Sequence, residues 1–320
     1  MHALPTMTVS GHRASRLLAL AIALLSLCSM AGAQDTRIVL LASARSSLYE
    51  DFVTAYQDYF RPRSDIHITA LFLEGDRPGK EYVDATTDLL VTIGTRAAQF
   101  STDHSPDIPV LNTLIPLSTF HEGRQADCRV QSAIFIDQPL QRQALLAELL
   151  FPNAHNYGVL LGPTSVMRRK EIEAMDLAAG VNITTRVVAQ EPGSSPEAQL
   201  LLRQSDLLLA VSDPLVLNRE NAKWLLYSAY QQQLPVIGFS HAYVKAGAAA
   251  AVYSEPGQMA RQAAELTSQW LDSSAACLPE PQFTRYFRIA LNKSVRDSLS
   301  GSAITEDELL KAIQTREKTP

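Results

Sequence analysis

Short apolar runs alternate with amphipathic segments along most of the chain, and this alternation limits the possible fold more than any other feature. Apolar strands are predicted at residues 37–42, 66–73, 88–93 and 109–115, and a helical pattern covers residues 46–60. The second half of the chain repeats this order. Alternating strands and helices are typical of βαβ units, in which helices cover a parallel sheet. The sequence therefore predicts an α/β fold with parallel sheets.

Two similar segments indicate that this arrangement is built twice. DLLVTIGT begins at Asp88 and DLLLAVSD begins at Asp206, and each is an acid, an apolar run and a small polar turn. We expect them to be equivalent strands of two similar lobes. Segments 131–136, 248–253 and 283–291 have suitable positions for crossovers between those lobes.

The predicted crossovers divide the chain into discontinuous lobes. We expect the N-terminal lobe to contain residues 34–136 and 248–282. The C-terminal lobe then contains residues 137–247 and 283–320. A chain of this length is long enough for two hydrophobic cores.

The N-terminal 33 residues have the pattern of an export signal. Basic residues precede an apolar run over 17–28, which is too short to span a bilayer. An Ala-Gly-Ala motif at 31–33 predicts cleavage before Gln34, and hence a periplasmic mature chain. Acylation of Cys28 and a retained membrane anchor are the alternatives.

The net charge of the chain limits the kinds of partner that it can bind. The formal net charge is −5 at pH 7, and the predicted signal removes basic residues only. An acidic chain is a poor match for nucleic acid or for anionic membrane surfaces. The histidines lack metal-ligand spacing, and no phosphate-binding glycine motif occurs. We therefore expect no metal, no cofactor and no nucleic-acid partner.

Two cysteines remain after removal of the signal. Cys128 and Cys277 are an even pair in a chain predicted to be exported, which favours a disulfide between them. Two unpaired thiols are the alternative.

Four segments resemble a known protein family. SAIFIDQPLQRQALLAELLFP (132–152), YGVLLGPTS (157–165), DLLLAVSDPLVLN (206–218) and PVIGFSHAYVKAGAAAAVYSEPGQ (235–258) resemble the periplasmic substrate-binding proteins of ABC transporters, of the tryptophan/phenylalanine-binding type. The resemblance implies the type I periplasmic-binding-protein fold, with two Rossmann-like lobes joined by three crossovers. It also implies that the lobes close on one small ligand.

In such an architecture the ligand lies between the lobes, at turns that follow the carboxyl ends of strands. In the first lobe we expect ligand contacts from five residues, although capping of a helix or exposure to solvent would also explain several of them. They are Ser43, Arg45, Ser46, Gly94 and Thr95.

Five further candidates come from the second lobe. Asp213 could receive a ligand ammonium group, with an Asx-Pro turn as the alternative, and an aromatic side chain after Phe239 could stack on the ligand. The five candidates are Thr164, Ser165, Asp213, Ser240 and Tyr243.

An enzyme interpretation is weaker. Gly238-Phe-Ser-His-Ala242 resembles a nucleophile elbow but lacks its second glycine, and no histidine follows His241. We expect a monomeric, non-enzymatic binding protein that delivers a small organic ligand, such as an amino acid, to a membrane permease with its ATPase. The alternative is a ligand-sensing module that docks on the ectodomain of a histidine kinase.

Overall fold

The computed structural model describes residues 35–73, 83, 86–104, 108–120, 130–273, 277–299 and 301–318. The predicted signal peptide lies outside these residues. Within them, twelve strands form two six-stranded sheets. No helix in this part of the chain has the length and apolar character needed to cross a membrane.

The first lobe is built on a wholly parallel sheet. Its strands are β1 (Thr36–Ala42), β2 (Ile66–Phe72), β3 (Leu89–Ile93), β4 (Val110–Ile115), β5 (Gln131–Phe135) and β11 (Gln282–Phe283). Their order across the sheet is β11-β5-β4-β3-β1-β2. Helices α1 (Ser47–Phe60), α2 (Thr95–His104) and α8 (Pro256–Ser273) pack against it.

The second lobe repeats this architecture. Its strands are β6 (Asn156–Leu161), β7 (Asn182–Val187), β8 (Leu207–Ala210), β9 (Val236–Gly238), β10 (Ala250–Tyr253) and β12 (Arg288–Leu291). They are ordered β12-β10-β9-β8-β6-β7, and only the β10–β12 pair is antiparallel. The helices are α3 (Leu140–Leu150), α4 (Arg169–Glu173), α5 (Pro196–Gln204), α6 (Arg219–Gln231), α7 (His241–Lys245), α9 (Lys293–Ser298) and α10 (Glu306–Lys318). The predicted α/β fold with two parallel-dominated sheets is confirmed.

Strand β3 shows why the central strands are continuous apolar runs. Its odd-numbered residues lie in one cluster with Phe52 of α1 and Met259 of α8. Leu90 instead lies in a cluster with Ala97 of α2. Because successive side chains of a strand point to opposite faces and helices cover both faces, every position of β3 must be apolar or fully paired.

The predicted equivalence of the two DLL segments is confirmed by their places in the sheets. Strand β3 lies between β4 and β1, and strand β8 lies between β9 and β6. Asp88 accepts a hydrogen bond from Arg37 N (2.8 Å) with its carboxylate. Asp206 does the same for Asn156 N (2.9 Å). Each acid therefore joins its strand to the first strand of its lobe.

Sheet membership corrects the predicted lobe boundaries. Residues 131–135 stay in the first sheet, and the chain crosses at 136–139. Strand β10 belongs to the second sheet, although 248–282 was predicted in the first lobe, so this crossing follows at 254–255. The last crossing lies at 284–287, between β11 and β12. The Ala-rich run of β10 shows that it is buried but not which sheet receives it, because that depends on its pairing with β9 on one side and β12 on the other.

The predicted disulfide falls partly outside the described residues. Cys277, which follows α8, is disulfide-bonded. Cys128 lies in a segment that the structure does not describe, so the Cys128–Cys277 pairing stays a prediction.

We expect Gly94→Ala to destabilise the protein more than Gly180→Ala. Both glycines have a positive φ (89° and 86°), which alone costs an alanine about 1–2 kcal/mol. An added Cβ at Gly94 would come within 2.5 Å of Tyr49 Oη, whereas at Gly180 nothing lies within 4 Å. Crowding should add roughly 1–3 kcal/mol at Gly94. Urea unfolding of both variants measures this difference, and equal losses would contradict the prediction.

Candidate functional site

A cavity of about 360 Å³ lies between the two lobes, at the carboxyl ends of strands from both sheets. Open α/β sheets bind ligands at this edge, and the volume lies within the usual range for small-molecule sites. The first lobe contributes Thr95, Leu114 and Pro116, the first crossover contributes Ile136, Asp137 and Gln138, and the second lobe contributes Gln143, Arg168, Ala210, Ser212, Phe239 and Ser240.

A larger cavity of about 600 Å³ is lined by the first lobe alone, beside α2 and the segment that ends at Phe120. It receives no side chain from the second lobe among the described residues. Only the interlobe cavity would change with the relative position of the lobes, and it is therefore the candidate site.

Helix α2 forms part of the first-lobe wall. It begins at Thr95, which lines the cavity, directly after the buried Gly94. Ser43 lies at the end of β1, and its Oγ accepts a hydrogen bond from Ala97 N (2.9 Å). The first-turn amides of α2 are thus held beside the cavity, and Ser43 contributes as a cap rather than as a lining residue.

Two other first-lobe candidates have structural partners. Ser46 is the N-cap of α1 and accepts from Tyr49 N. Arg45 is exposed, forms an ion pair with Glu50 (3.3 Å) and lies over the ring of Phe72. Neither Arg45 nor Ser46 lines the cavity.

Leu114 lines the cavity with an unusual backbone conformation. Its φ is 54°, in the left-handed region, and the register between β4 and β5 shifts between Thr113 and Ile115. A bulky residue in this region is strained, and such strain concentrates at functional sites. The bulge re-aims one side chain of an otherwise regular strand, which is a common use of bulges beside binding sites.

A buried charge pair lies at the first crossover. Asp137 Oδ2 accepts from Leu117 N of the first lobe (2.7 Å), and its Oδ1 is 3.7 Å from Arg168 Nη1 of the second lobe. Arg168 also donates to Glu171 (2.8 Å) and to the carbonyl of Gln138 (2.8 Å). Asp137 therefore contacts both lobes at the base of the cavity.

A hydrogen-bonded network joins the three crossovers. Gln138 Nε2 donates to Ser254 Oγ and to Thr284 Oγ1 (2.9 Å each), and the two hydroxyls are 2.7 Å apart. Arg142 Nη1 donates to Gln138 Oε1 (2.9 Å) and to the carbonyl of Thr284 (2.6 Å). Its Nε pairs with Glu317 of the C-terminal helix (2.5 Å). One residue from each crossover thus meets at a single point.

The second-lobe wall is formed at the ends of β8 and β9. Ser212 and Ser240 each lie two residues beyond a strand, and Ser240 Oγ caps α7 by accepting from Tyr243 N (3.1 Å). Phe239 lines the cavity and stacks on the buried Tyr243 (5.3 Å between ring centres). The aromatic contact was predicted for Tyr243, but Phe239 is the aromatic residue that lines the cavity.

The Asp213 carboxylate forms its hydrogen bonds within the second lobe. Its carboxylate accepts from the backbone and hydroxyl groups of Thr164 and Ser165 at 2.8–3.1 Å, and from Leu215 N at 2.9 Å. Burial alone would raise the pKa of Asp213, but these hydrogen bonds outweigh it and hold the pKa below its usual value. Thr164, Ser165 and Asp213 are absent from the cavity lining.

Of the ten predicted ligand-binding residues, Thr95 and Ser240 line the cavity. Ser43 and Gly94 support the first-turn amides beside it. Sequence reasoning missed Asp137, Gln143 and Arg168 because they lie in a crossover and in helices rather than after a strand. Within the described residues, no three His, Cys, Asp or Glu side chains come together as a metal site.

The chain belongs to a family of substrate-binding proteins. A model of that family, described as ABC transporter substrate binding protein, matches residues 79–315. The protein is thus a substrate-binding protein for ABC transporters, and the family is not an enzyme class. A search of curated proteins by sequence finds no significant match.

Solved structures share the fold. An ABC domain in complex with L-Trp from Streptococcus pneumonia is 19% identical, with a TM-score of 0.58, and the match covers 87% of this chain and 98% of that one. The ligand-free, open structure of a substrate-binding protein with adhesive properties from Clostridium difficile is 15% identical, with a TM-score of 0.66 and coverage of 85% and 97%. At these identities the likeness shows the fold alone.

We expect Thr284→Val to loosen the crossovers selectively. The change keeps the side-chain shape but removes the hydroxyl that Gln138 and Ser254 contact, at a cost of about 1 kcal/mol. Thr92→Val is the matched control, because it removes a buried hydrogen bond to Asn112 (2.7 Å) away from the crossovers. Amide hydrogen exchange should rise at 284–287 in Thr284→Val only. Equal exchange there in both variants would show that the network does not restrain the hinge.

Asp213→Asn should lower the free energy of unfolding by about 2–3 kcal/mol at pH 7, because a charged acceptor with several donors is lost. A carboxylate with a depressed folded-state pKa stabilises above its unfolded pKa and loses that contribution as pH falls through the folded value. The difference in free energy of unfolding between Asp213→Asn and wild type should therefore become smaller below about pH 4. Urea unfolding at pH 7 and pH 3 measures it, with the exposed Asp176→Asn as control; a constant difference would contradict the prediction.

Proposed function

We propose that the mature chain is an exported, monomeric solute-binding protein that captures a small organic ligand between its lobes for an ABC permease and its ATPase. The observation that carries this proposal is the interlobe cavity, which receives strand-end residues from both sheets and residues of the first crossover. A ligand there contacts both lobes, so it binds the closed form better than the open form and shifts the protein towards closure.

The chemistry of the cavity suits an amphipathic ligand. Leu114, Pro116, Ile136 and Phe239 offer apolar surface, and Ile136 is an exposed apolar side chain on the crossover itself. The N-terminus of α2, which begins at Thr95 in the cavity lining, favours a carboxylate through the helix dipole. An amino acid combines these features, and one structure with the same fold is a complex with L-Trp. Amino acids are therefore the first ligands to test.

The experiment is a thermal-shift screen of residues 34–320 against the amino acids, aromatic and branched ones first, and then other small organic solutes. A ligand at 100 times its Kd should raise the melting temperature by roughly 5–10 °C. Small-angle scattering with the same compound should show a smaller radius of gyration. Absence of a shift with every compound would contradict the proposal and favour the docking of a protein partner instead.

Variants locate the bound compound. Phe239→Ala removes an aromatic surface of the cavity and should abolish most of the shift, measured against that variant's own melting temperature. Tyr227→Ala is the matched control, because Tyr227 is 64% exposed on α6 and does not line the cavity. Equal loss in both variants would place the compound elsewhere.

A further inference from the structure

Gln143 is a buried residue of α3 that lines the interlobe cavity. Its Nε2 donates to the carbonyls of Ala210 and Gly238 (3.3 Å each), the last residues of β8 and β9. Because both partners are acceptors, the orientation of the amide is determined. Its Oε1 is buried and has no hydrogen-bond donor.

A second buried glutamine, Gln262, differs from Gln143 because both polar atoms of its amide have hydrogen-bond partners. Gln262 of α8 donates from Nε2 to the Phe283 carbonyl (3.2 Å) and to Gln282 Oε1 (3.1 Å). Its Oε1 accepts from Arg285 N (2.6 Å). Gln262 is fully paired and does not line the interlobe cavity. The unpaired acceptor belongs to the glutamine at the cavity.

The charged groups of the cavity lining are paired within the protein. Asp137 accepts a hydrogen bond from Leu117 N and forms a buried ion pair with Arg168 (3.7 Å). The Arg168 guanidinium is engaged by Glu171 and by the Gln138 carbonyl. The two charges therefore offset each other, and Gln143 Oε1 is a buried acceptor of the cavity lining that has no donor. A carboxylate or phosphate placed against Gln143 would face this oxygen rather than a donor.

We propose that Gln143 determines ligand specificity by accepting, at Oε1, a hydrogen bond from an N–H or O–H group of the ligand. The inference rests on the proposed function and deepens it, because it states which chemical group the second lobe selects. A buried acceptor is unfavourable until it is paired, and a site built for a donor rejects an analogue that lacks it. A ligand that packs against Gln143 without a donor leaves Oε1 unpaired.

The test uses matched compounds that differ by one donor. Each amino acid is compared with its des-amino analogue, for example L-tryptophan with indole-3-propionate and L-phenylalanine with 3-phenylpropionate, and hydroxylated solutes are compared with their deoxy forms. Wild type should bind the donor-bearing member of one pair at least about tenfold more tightly, as expected when a buried acceptor is left unpaired. A preferred compound without a donor would overturn the inference.

Two variants then assign the discrimination to one atom. Gln143→Met is close to isosteric and removes Oε1. It should bind both members of the pair with similar affinity, weaker than the affinity of wild type for the donor-bearing member. Gln262→Met removes a fully paired amide, so it should lower the melting temperature more than Gln143→Met does, while the ratio of affinities within the pair is kept. Retained discrimination in Gln143→Met would overturn the inference.

The outcomes separate the two proposals. Binding to wild type with unchanged discrimination in Gln143→Met overturns the role of Gln143 alone. No binding of any compound to wild type overturns the proposed function, and the role of Gln143 with it. A Gln143→Met variant as destabilised as Gln262→Met without ligand would assign Gln143 to structure rather than to recognition.

Discussion

The hydrogen-bonded meeting of the three crossovers is the constraint on which the rest of this structure depends. Each lobe has its own hydrophobic clusters, and the chain passes between lobes only at short segments. Gln138, Ser254 and Thr284 bring those segments to one point, and Arg142 connects them to the C-terminal helix. The angle between the lobes, and with it the shape of the cavity, is set around this point. Substrate-binding proteins use such a hinge to convert ligand contact into a change of shape.

The cavity departs from the local regularity of the lobes that surround it. Leu114 adopts a left-handed backbone in an otherwise regular strand, and Gln143 keeps an unpaired acceptor in a buried position. Asp137 and Arg168 place opposite charges where neither is well solvated. Each feature costs stability, and natural proteins concentrate such costs at functional sites. Their coincidence in one cavity supports its assignment as the ligand site.

The repeated lobe was predictable from the chain because it rests on local pattern. The apolar runs at Asp88 and Asp206 became equivalent strands, and their acids hold equivalent backbone amides. The site was less predictable. Thr95 and Ser240 follow strands and line the cavity, but Asp213 has the same placement and turns inward to Thr164 and Ser165. A position just after a strand indicates that a residue lies near the edge of the sheet. It does not indicate which groups the side chain forms hydrogen bonds with.

By itself, the sequence determined the α/β class and the two similar lobes, and it predicted a candidate site at strand ends, because hydrophobic periodicity and turn residues act over a few neighbouring positions. Only the tertiary structure decided that β10 joins the second sheet, since membership is set by its pairing with both β9 and β12, which lie on either side of it in the sequence. It also decided that Gln143 reaches the cavity. Residues distant in sequence meet there, and which polar atom is left unpaired depends on every neighbour that the fold supplies.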